Sequence, residues 1–488
     1  MMHFPLNLDV LRLILTWLAN VDLLKVTYVS RALQDEAYNE LLTRHIRLNG
    51  KTRLLSFIHF VLHDNIHRLS FVRALTLRNI DALLQPEEGA LVLTLKACSN
   101  LRSLHLQLSD SLLESHPRVA EAIASLKTLT ELSLWLQRDD GLRQSTAWNI
   151  ILRIPSRLVQ LRPPLIPSAR TTTDLRDLAT THPHLEDLML NVHSFSAPGV
   201  VFETLRSLSL IVEDALPNLQ DLECTFPNVR EFVLSHYMLL DVGDALPPGL
   251  AGDVPKPAGW KSLDYLFATP ASIRVLGLVC PVKHLNLGFY EVTLHREIAN
   301  IVGFLRPLKL TLNVFCAAPS WGWDLPRAEP SITLHNPSTT WVKHLYLQSG
   351  YDTMTVPSTA DFLATLTPLV SSSRIELLHV GIGPFFMSDN PEEVVHPTVP
   401  MSDDTPEKIK HVDVEEIARG LAQACPSVRT VAISVVMTEH FIWTVQRAVG
   451  RVEMVKLPSY EGRVRLDSEA ARLRTASNSE SESGRFRM

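Results

Sequence analysis

An apolar-x-x-apolar-x-apolar frame recurs along most of this chain and constrains the fold more than any other feature. VRALTL (72–77), LRSLHL (101–106), LTELSL (129–134), LEDLML (185–190), LRSLSL (205–210), VREFVL (229–234), IRVLGL (273–278), VKHLNL (282–287), VKHLYL (342–347) and VRTVAI (428–433) all fit it. The first three copies start 29 and 28 residues apart, and a weaker one, LVQLRP at 158, follows after another 29. A fixed period of that length marks one supersecondary unit per copy. The last two apolar residues of the frame are two apart, so they face one side of a strand while the residues between them face the other. Just upstream, CSNL (98–101), HPHL (182–185), LPNL (216–219), FPNV (226–229) and CPSV (425–428) place a turn before the strand. Proline there stops the preceding helix and presets the extended chain. Before the last turn, VEEIARGLAQAC carries helical spacing at Val414, Ile417 and Leu421. Each unit is one short strand and one helix, which makes the chain α/β.

Over residues 70–455 this pattern resembles the leucine-rich-repeat family. The resemblance implies a solenoid with parallel strands on a concave face and helices on a convex face. The asparagine or cysteine usual after the LxL core is mostly missing, and the spacing turns irregular after about residue 205. Two stretches rich in proline, glycine and acidic residues, 241–260 and 384–410, read as loops within the array. Residues 456–488 end in a Ser, Glu and Arg mixture without periodicity and are expected to form a disordered tail whose serines are accessible to phosphorylation.

Residues 4–48 have a different grain. Leu8, Leu11, Leu15 and Leu18 fall on one helical stripe with Ile14 beside it. Asn20 or Asp22 is placed to cap a second helix holding Leu23, Leu24 and Val26, and a third starts near Ser30 and stacks Leu33, Ala37 and Leu41. Three helices of this length bury little area alone, so they need the first repeat or a partner. A connecting helix or linker over 49–69 joins them to the array.

The wording PLNLDVLRLILTWLANVDLLKVTYVSRAL looks like an F-box, with Asp9, Leu15, Leu18, Asp22, Leu23, Val29, Ser30 and Arg31 matching that family's pattern in order. Asn7 stands where proline is usual, and Leu33 replaces the frequent tryptophan. The resemblance implies a three-helix domain that docks on the Skp adaptor of an SCF-type ubiquitin ligase, with cullin and RING subunits reached indirectly. The adaptor-facing residues it implies are Pro5, Leu6, Leu8, Leu11, Ile14, Leu15, Leu18, Leu23, Val29 and Leu33.

Composition excludes several other classes. A net charge of -6 shows no basic excess to gather phosphate-bearing partners, so no nucleic-acid ligand is expected. The five cysteines are scattered, odd in number and without a CxxC pair, which suits reduced thiols. Cys98 and Cys425 each stand three residues before a strand's first apolar position and are expected to pack as small hydrophobes. The opening MMHFPLNLD lacks a basic n-region, and no apolar run is long enough to cross a bilayer. The expectation is a cytoplasmic or nuclear protein with no membrane partner.

Catalytic and cofactor signatures are absent: no GxSxG, HExxH, GxxxxGK[ST] or EF-hand loop occurs, and no cofactor is implied. Gly381-Ile382-Gly383 lacks the third glycine of a dinucleotide fingerprint and reads as a turn before Pro384. His59, His63 and His67 have the spacing to align on a helix, yet no Cys, Asp or Glu set joins them, so a helix face is expected rather than a metal site.

If the strands line a concave face, Ser103, His105, Gln107, Glu131, Ser133, Trp135, Asp187, Met189, Asn191, His344, Tyr346 and Gln348 project into it. This mixed set suits a protein or peptide ligand. His105, Trp135, Met189, His344 and Tyr346 are the candidate substrate-binding residues, with Trp135 and Tyr346 as anchors. The expected function is a non-catalytic substrate receptor for an uncharacterised target protein. The competing readings are a stand-alone leucine-rich-repeat scaffold whose N-terminus is a helical cap, and an enzyme whose site is assembled from loops.

Overall fold

Apolar pairs two residues apart, most often leucines, line the core side of most described strands. In the computed structural model the described residues are 8–64, 66–80, 82–137, 146–163, 175–192, 197, 199–212, 216–236, 259–287, 295–315, 342–351, 358–371, 374–384, 412–435, 439–448, 451–466 and 468. The chain forms two units, Met1–Pro217 with Cys224–Val229, and Asn218–Glu223 with Arg230–Met488.

The first unit opens with three helices, α1 (Leu8–Trp17), α2 (Asn20–Val26) and α3 (Arg31–Thr43). Strands β1 (His45–Asn49), β2 (Ala74–Ile80), β3 (Ser103–Ser109), β4 (Glu131–Gln137), β5 (Gln160–Arg162), β6 (Asp187–Val192) and β7 (Ser207–Val212) then pair in chain order, each parallel to the next. Helices α4 (Lys51–Asp64), α5 (Gln85–Ala97), α6 (Asp110–Ser115), α7 (Pro117–Ala124), α8 (Thr146–Arg153) and α9 (Leu175–Thr181) supply the crossovers, with a 3-10 turn at Ile66–Phe71. Parallel neighbours require such crossovers, and the described helices provide most of them.

In the second unit, β8 (Glu231–His236), β9 (Leu263–Ala268), β10 (Val282–Leu287), β11 (Lys309–Phe315), β12 (His344–Tyr351), β13 (Leu377–Pro384) and β14 (Thr430–Val435) again pair parallel and in order. After α10 (Leu219–Thr225), whose residues fall in both units, the helices are α11 (Pro270–Leu276), α12 (His295–Leu305), α13 (Thr359–Val370) and α14 (Val414–Ala424). The last two strands, β15 (Glu439–Ala448) and β16 (Arg451–Lys456), pair antiparallel. Their connections are too short to hold a helical crossover. The repeated strand-and-helix unit with a parallel ladder is consistent with a leucine-rich-repeat solenoid.

Register explains why the frame works. Leu75, Leu104 and Leu132 stand opposite one another, as do Leu77, Leu106 and Leu134, and all six are buried. Stacking one repeat on the next therefore buries a continuous leucine column, which no single repeat achieves alone.

The turn before each strand does more than end a helix. Asn100 and Asn228 donate side-chain N–H groups to the carbonyls of Ser70 and Glu203, both at 2.8 Å. Thr128, Thr204 and Ser427 donate hydroxyls to Leu101, Leu185 and Ile375 at 2.8, 2.7 and 2.9 Å. All five residues immediately precede the first apolar position of a strand, and all bond the backbone one repeat earlier. They satisfy carbonyls that the turn would otherwise leave unpaired.

Several expectations are corrected. IRVLGL is not a strand: residues 270–276 form α11, because Thr269 caps it, accepting from the Ser272 N–H at 3.1 Å, Pro270 starts it, and Gly277 ends it in the left-handed region at φ 67°. An apolar-x-x-apolar spacing fits a helix as well as a strand end. LPNL precedes α10 rather than a strand, with the Asn218 side-chain Oδ1 accepting from the Gln220 N–H at 2.9 Å. Gly381-Ile382-Gly383 is no turn and lies inside β13. The sheet begins at His45, well before residue 70, so the end of the 4–48 segment already belongs to the array. The 49–69 connection is helical and enters a repeat. Lys456 ends a strand and residues 459–466 are helical, so the segment assigned to a tail starts as ordered structure. Most of 241–260 and 384–410, and residues 469–488, lie outside the described residues.

Candidate protein-docking surfaces

Helix α1 is apolar on two stripes. The inward one holds Leu15, which with Leu23 of α2 and Ala37 of α3 forms a small core flanked by Leu11, Leu18, Val26 and Leu41. The outward one, Val10, Leu13, Ile14 and Trp17, follows i, i+3, i+4, i+7 spacing and is exposed. Leu24 of α2 and Tyr28 and Val29 just after it are exposed as well, and Trp17 and Tyr28 are the extremes at 83% and 89%. Contiguous large apolar side chains in water mark an interaction site far more than scattered single ones do.

Polar contacts hold these helices in place. Arg12 makes a two-pronged bond to Glu36 at 2.8 and 2.9 Å, tying α1 to α3. Ser30 caps α3 by accepting from the Leu33 N–H at 3.3 Å. Asn20 does not cap α2, whose N-cap is Ala19; its side-chain oxygen instead accepts from Arg44 at 2.7 Å. Arg44 also donates to the Leu15 and Thr16 carbonyls at 3.2 Å and to Glu40 at 3.1 Å, satisfying the unpaired end of α1. On its other side α3 meets the first repeat, where Arg68 donates to Asp35 at 2.9 Å and lies 4.8 Å over the Tyr38 ring. Tyr38 in turn meets Phe60 edge-on at 5.1 Å.

The second surface is the polar face of the strands. In the first unit, His45 bonds the Thr76 hydroxyl at 2.7 Å, and its ring lies 5.7 Å from that of His105. His105 shares a bond with Ser103 at 3.0 Å, and burial followed by the His45 charge keeps its imidazole below the ordinary range. Further along, Gln160 donates to Asp187 at 2.8 Å. Burial raises Asp187 while Arg162 draws it back down.

In the second unit the same face carries rings. The Tyr265 and His284 rings meet edge-on at 4.9 Å, and His284 bonds the Thr311 hydroxyl at 2.9 Å, the same strand-to-strand step as His45 to Thr76. Asn286 donates to the Tyr265 hydroxyl at 3.1 Å. Tyr346 stacks on His379 with ring centres 4.5 Å apart. The Ser434 hydroxyl lies between His379 and His440, 2.7 Å from each. Burial, then Lys309, pushes His344 down to about 2, and burial, then His440, pushes His379 down to about 4. Both are neutral imidazoles at physiological pH. A hydroxyl between two imidazoles has the makings of a nucleophile, but Ser434 is only 4% exposed and closed to a substrate carbonyl.

No family model matches this chain. No curated protein matches it. Among solved structures it is similar to the crystal structure of the leucine-rich repeat-containing protein LegL7 from Legionella pneumophila, at 11% identity and a TM-score of 0.25, over 83% of this chain and 88% of that one.

The residues named from the sequence divide accordingly. Of the adaptor-facing set, Leu8, Ile14 and Val29 are exposed, Leu11, Leu18 and Leu33 are partly covered, and Pro5 and Leu6 lie outside the described residues. Leu15 and Leu23 are corrected: at 2% and 0% exposure they close the chain's own core and have no surface to offer. Val10, Leu13, Trp17, Leu24 and Tyr28 are exposed instead, and for the first three the second apolar stripe of α1 was the signal. Of the substrate-binding set, His105, Trp135 and Met189 belong to the first unit and His344 and Tyr346 to the second. His105, Met189 and Tyr346 are half-buried, His344 is buried, and the side chain of Trp135 lies outside what the structure describes. Sequence reading passed over Tyr265, His284, His379 and His440, although VKHLNL and VKHLYL repeat a histidine at one frame position.

The helix bearing His59 and His63 ends at Asp64, and His67 belongs to a 3-10 turn, so the three do not form one helical row. Among the described residues no three His, Cys, Asp or Glu side chains gather to hold a metal. No helix of the described residues is long and apolar enough to cross a membrane. Cys98 and Cys425 are buried, as their place before the strand leads one to expect.

Proposed function

We propose that this chain is a substrate-recognition subunit of an SCF-type ubiquitin ligase, docking the Skp adaptor through α1 and α2 and holding a target protein on the strand faces of its repeats. The observation that carries this reading is the outward stripe Val10, Leu13, Ile14 and Trp17, joined by Leu24 and Tyr28, on helices whose wording resembles an F-box. A segment whose inner stripe already closes its own core has no folding reason to keep a second apolar stripe in water. Transfer of ubiquitin would then follow from proximity, with the chain supplying position rather than chemistry.

The competing scaffold reading draws support from α3, which covers the first repeat through the Asp35–Arg68 pair and the Tyr38–Phe60 contact, as an end cap does. Capping by α3 leaves the outer face of α1 and α2 unexplained. Purified full-length chain mixed with Skp adaptor separates the two. Capture is expected, and Leu13→Asp with Trp17→Asp abolishes it while circular dichroism and melting of the array stay unchanged. No capture by the unaltered chain favours the scaffold.

A further inference from the structure

The polar strand face of the second unit is chemically uneven in a way that points to a ligand. From β10 to β14 its described residues are His284, Asn286, Lys309, Thr311, Asn313, His344, Tyr346, Gln348, Leu377, His379, Thr430, Ala432 and Ser434 with strand glycines between, and β15 adds His440 opposite Ser434. No carboxylate stands among them. The whole chain carries more acidic than basic side chains, so this stretch departs from the background. Glu231 on β8 stands opposite Tyr265. Asp264 and Glu376 point to the other side of their strands, paired with Lys283 and Lys343 at 2.8 and 3.3 Å.

We propose that this face is an interaction surface for a carboxylate-rich segment of a target protein, with Lys309 and the imidazoles of His284 and His379 receiving the carboxylates. It rests on the target-holding half of the proposed function and names the class of target. Rings frame the site: Tyr265 abuts His284 and Tyr346 stacks on His379, so each imidazole is held at fixed orientation by an aromatic neighbour and by one hydroxyl, Thr311 or Ser434. A rigid ring with a hydrogen bond on one nitrogen is a prearranged donor when its other nitrogen carries a proton. Half-buried Tyr346 and Phe267 give apolar contact on either side of the charged groups.

His379 is neutral in the free chain because burial, then His440 and Lys309, oppose its charge. A bound carboxylate stabilises the charged form of that ring. Binding therefore takes up protons, and affinity rises as pH falls. The groups facing this event are Tyr265 from β9, His284 from β10, Lys309 and Thr311 from β11, His344 and Tyr346 from β12, His379 from β13, Ser434 from β14 and His440 from β15. Buried His344, whose Nε2 lacks a hydrogen-bond partner, adds like charge only if it is itself protonated.

Fluorescence anisotropy with the full chain tests this, using a labelled Glu/Ser peptide, its Gln/Ser counterpart and a phosphoserine/Ser peptide. The Glu peptide is expected to bind more tightly at about pH 6 than at pH 8, by up to about tenfold per pH unit for each proton taken up. The Gln peptide is expected not to bind. Lys309→Gln and His379→Gln each weaken the Glu peptide and leave adaptor capture intact. Glutamine at 379 keeps a donor toward Ser434, and should that variant melt early, the half-exposed Lys309 decides. Equal binding of the Gln peptide, pH-independent affinity, unchanged binding by Lys309→Gln, no binding of the Glu peptide, or binding of the phosphoserine peptide alone overturns the proposal. Since capture by α1 and α2 is read separately, failure here leaves the adaptor result standing, and the reverse.

Discussion

The hydroxyl of Tyr346 occupies the space above Gly381, 2.6 Å from where a β-carbon on that residue would stand. Tyr346 and Gly381 lie on neighbouring strands, and the missing side chain lets the phenol reach across one strand while its ring stacks on His379. A glycine within a strand often marks such a close approach.

Gly381→Ala follows from that contact. In a strand interior, alanine is ordinarily favoured over glycine by ~0.5–1 kcal/mol. Here the sign reverses, because the added methyl meets the phenol and must displace it, a cost of ~1–3 kcal/mol for overpacking. Urea unfolding should show the lower stability, and the Glu-peptide affinity should fall with it.

The two stripes of α1 predict opposite phenotypes. Leu15→Ala empties a closed core and should destabilise the N-terminal helices by ~2–5 kcal/mol. Trp17→Ala removes a side chain that is mostly in water and should change stability by no more than ~0.5 kcal/mol while weakening adaptor capture. Limited proteolysis of α1 and α2 beside a capture assay reads both.

Acid sensitivity has a defined window. An imidazole in the unfolded chain titrates near ~6.5, whereas His379 is held down at about 4 and His344 at about 2. Below the unfolded value the unfolded state binds more protons, so the contribution of these groups is fully present above it. That contribution is lost as pH falls toward the folded values. The urea midpoint should drop between neutral pH and about pH 4, and His379→Gln should flatten the drop.

Thiol labelling should be selective. Cys98, Cys280 and Cys425 are buried, and burial pushes the Cys98 and Cys280 thiols up to about 12, whereas Cys224 is exposed. A thiolate is the reactive form, so an alkylating reagent at mild pH should modify Cys224 and spare those three until the chain is denatured. Peptide mapping checks the order.

Most parallel strands were legible because their leucine pairs repeat. β9 and β13 were passed over although LDYLFA (263–268) and IELLHV (375–380) fit the frame, and β11 was missed because Pro307 stands at the frame's first apolar position. β1 was missed because HIRLN follows α3 without the upstream turn. IRVLGL matched the frame yet became α11, because caps at Thr269 and Gly277 outweigh a spacing compatible with both structures. Leu15 and Leu23 were read as exposed because periodicity finds apolar faces without saying which is covered.

The sequence by itself determined the repeat unit, its strand-and-helix composition, the turn before each strand and three helices ahead of the array, since each depends on neighbours within about thirty residues. Only tertiary structure decided which stripe of α1 faces inward. That choice belongs to the packing of Leu15 against Leu23 and Ala37, three residues on three helices. It also decided that His379, Ser434 and His440 share one hydrogen-bonded row. Strand register sets that juxtaposition, and register depends on the stacking of whole repeats, which no local spacing records.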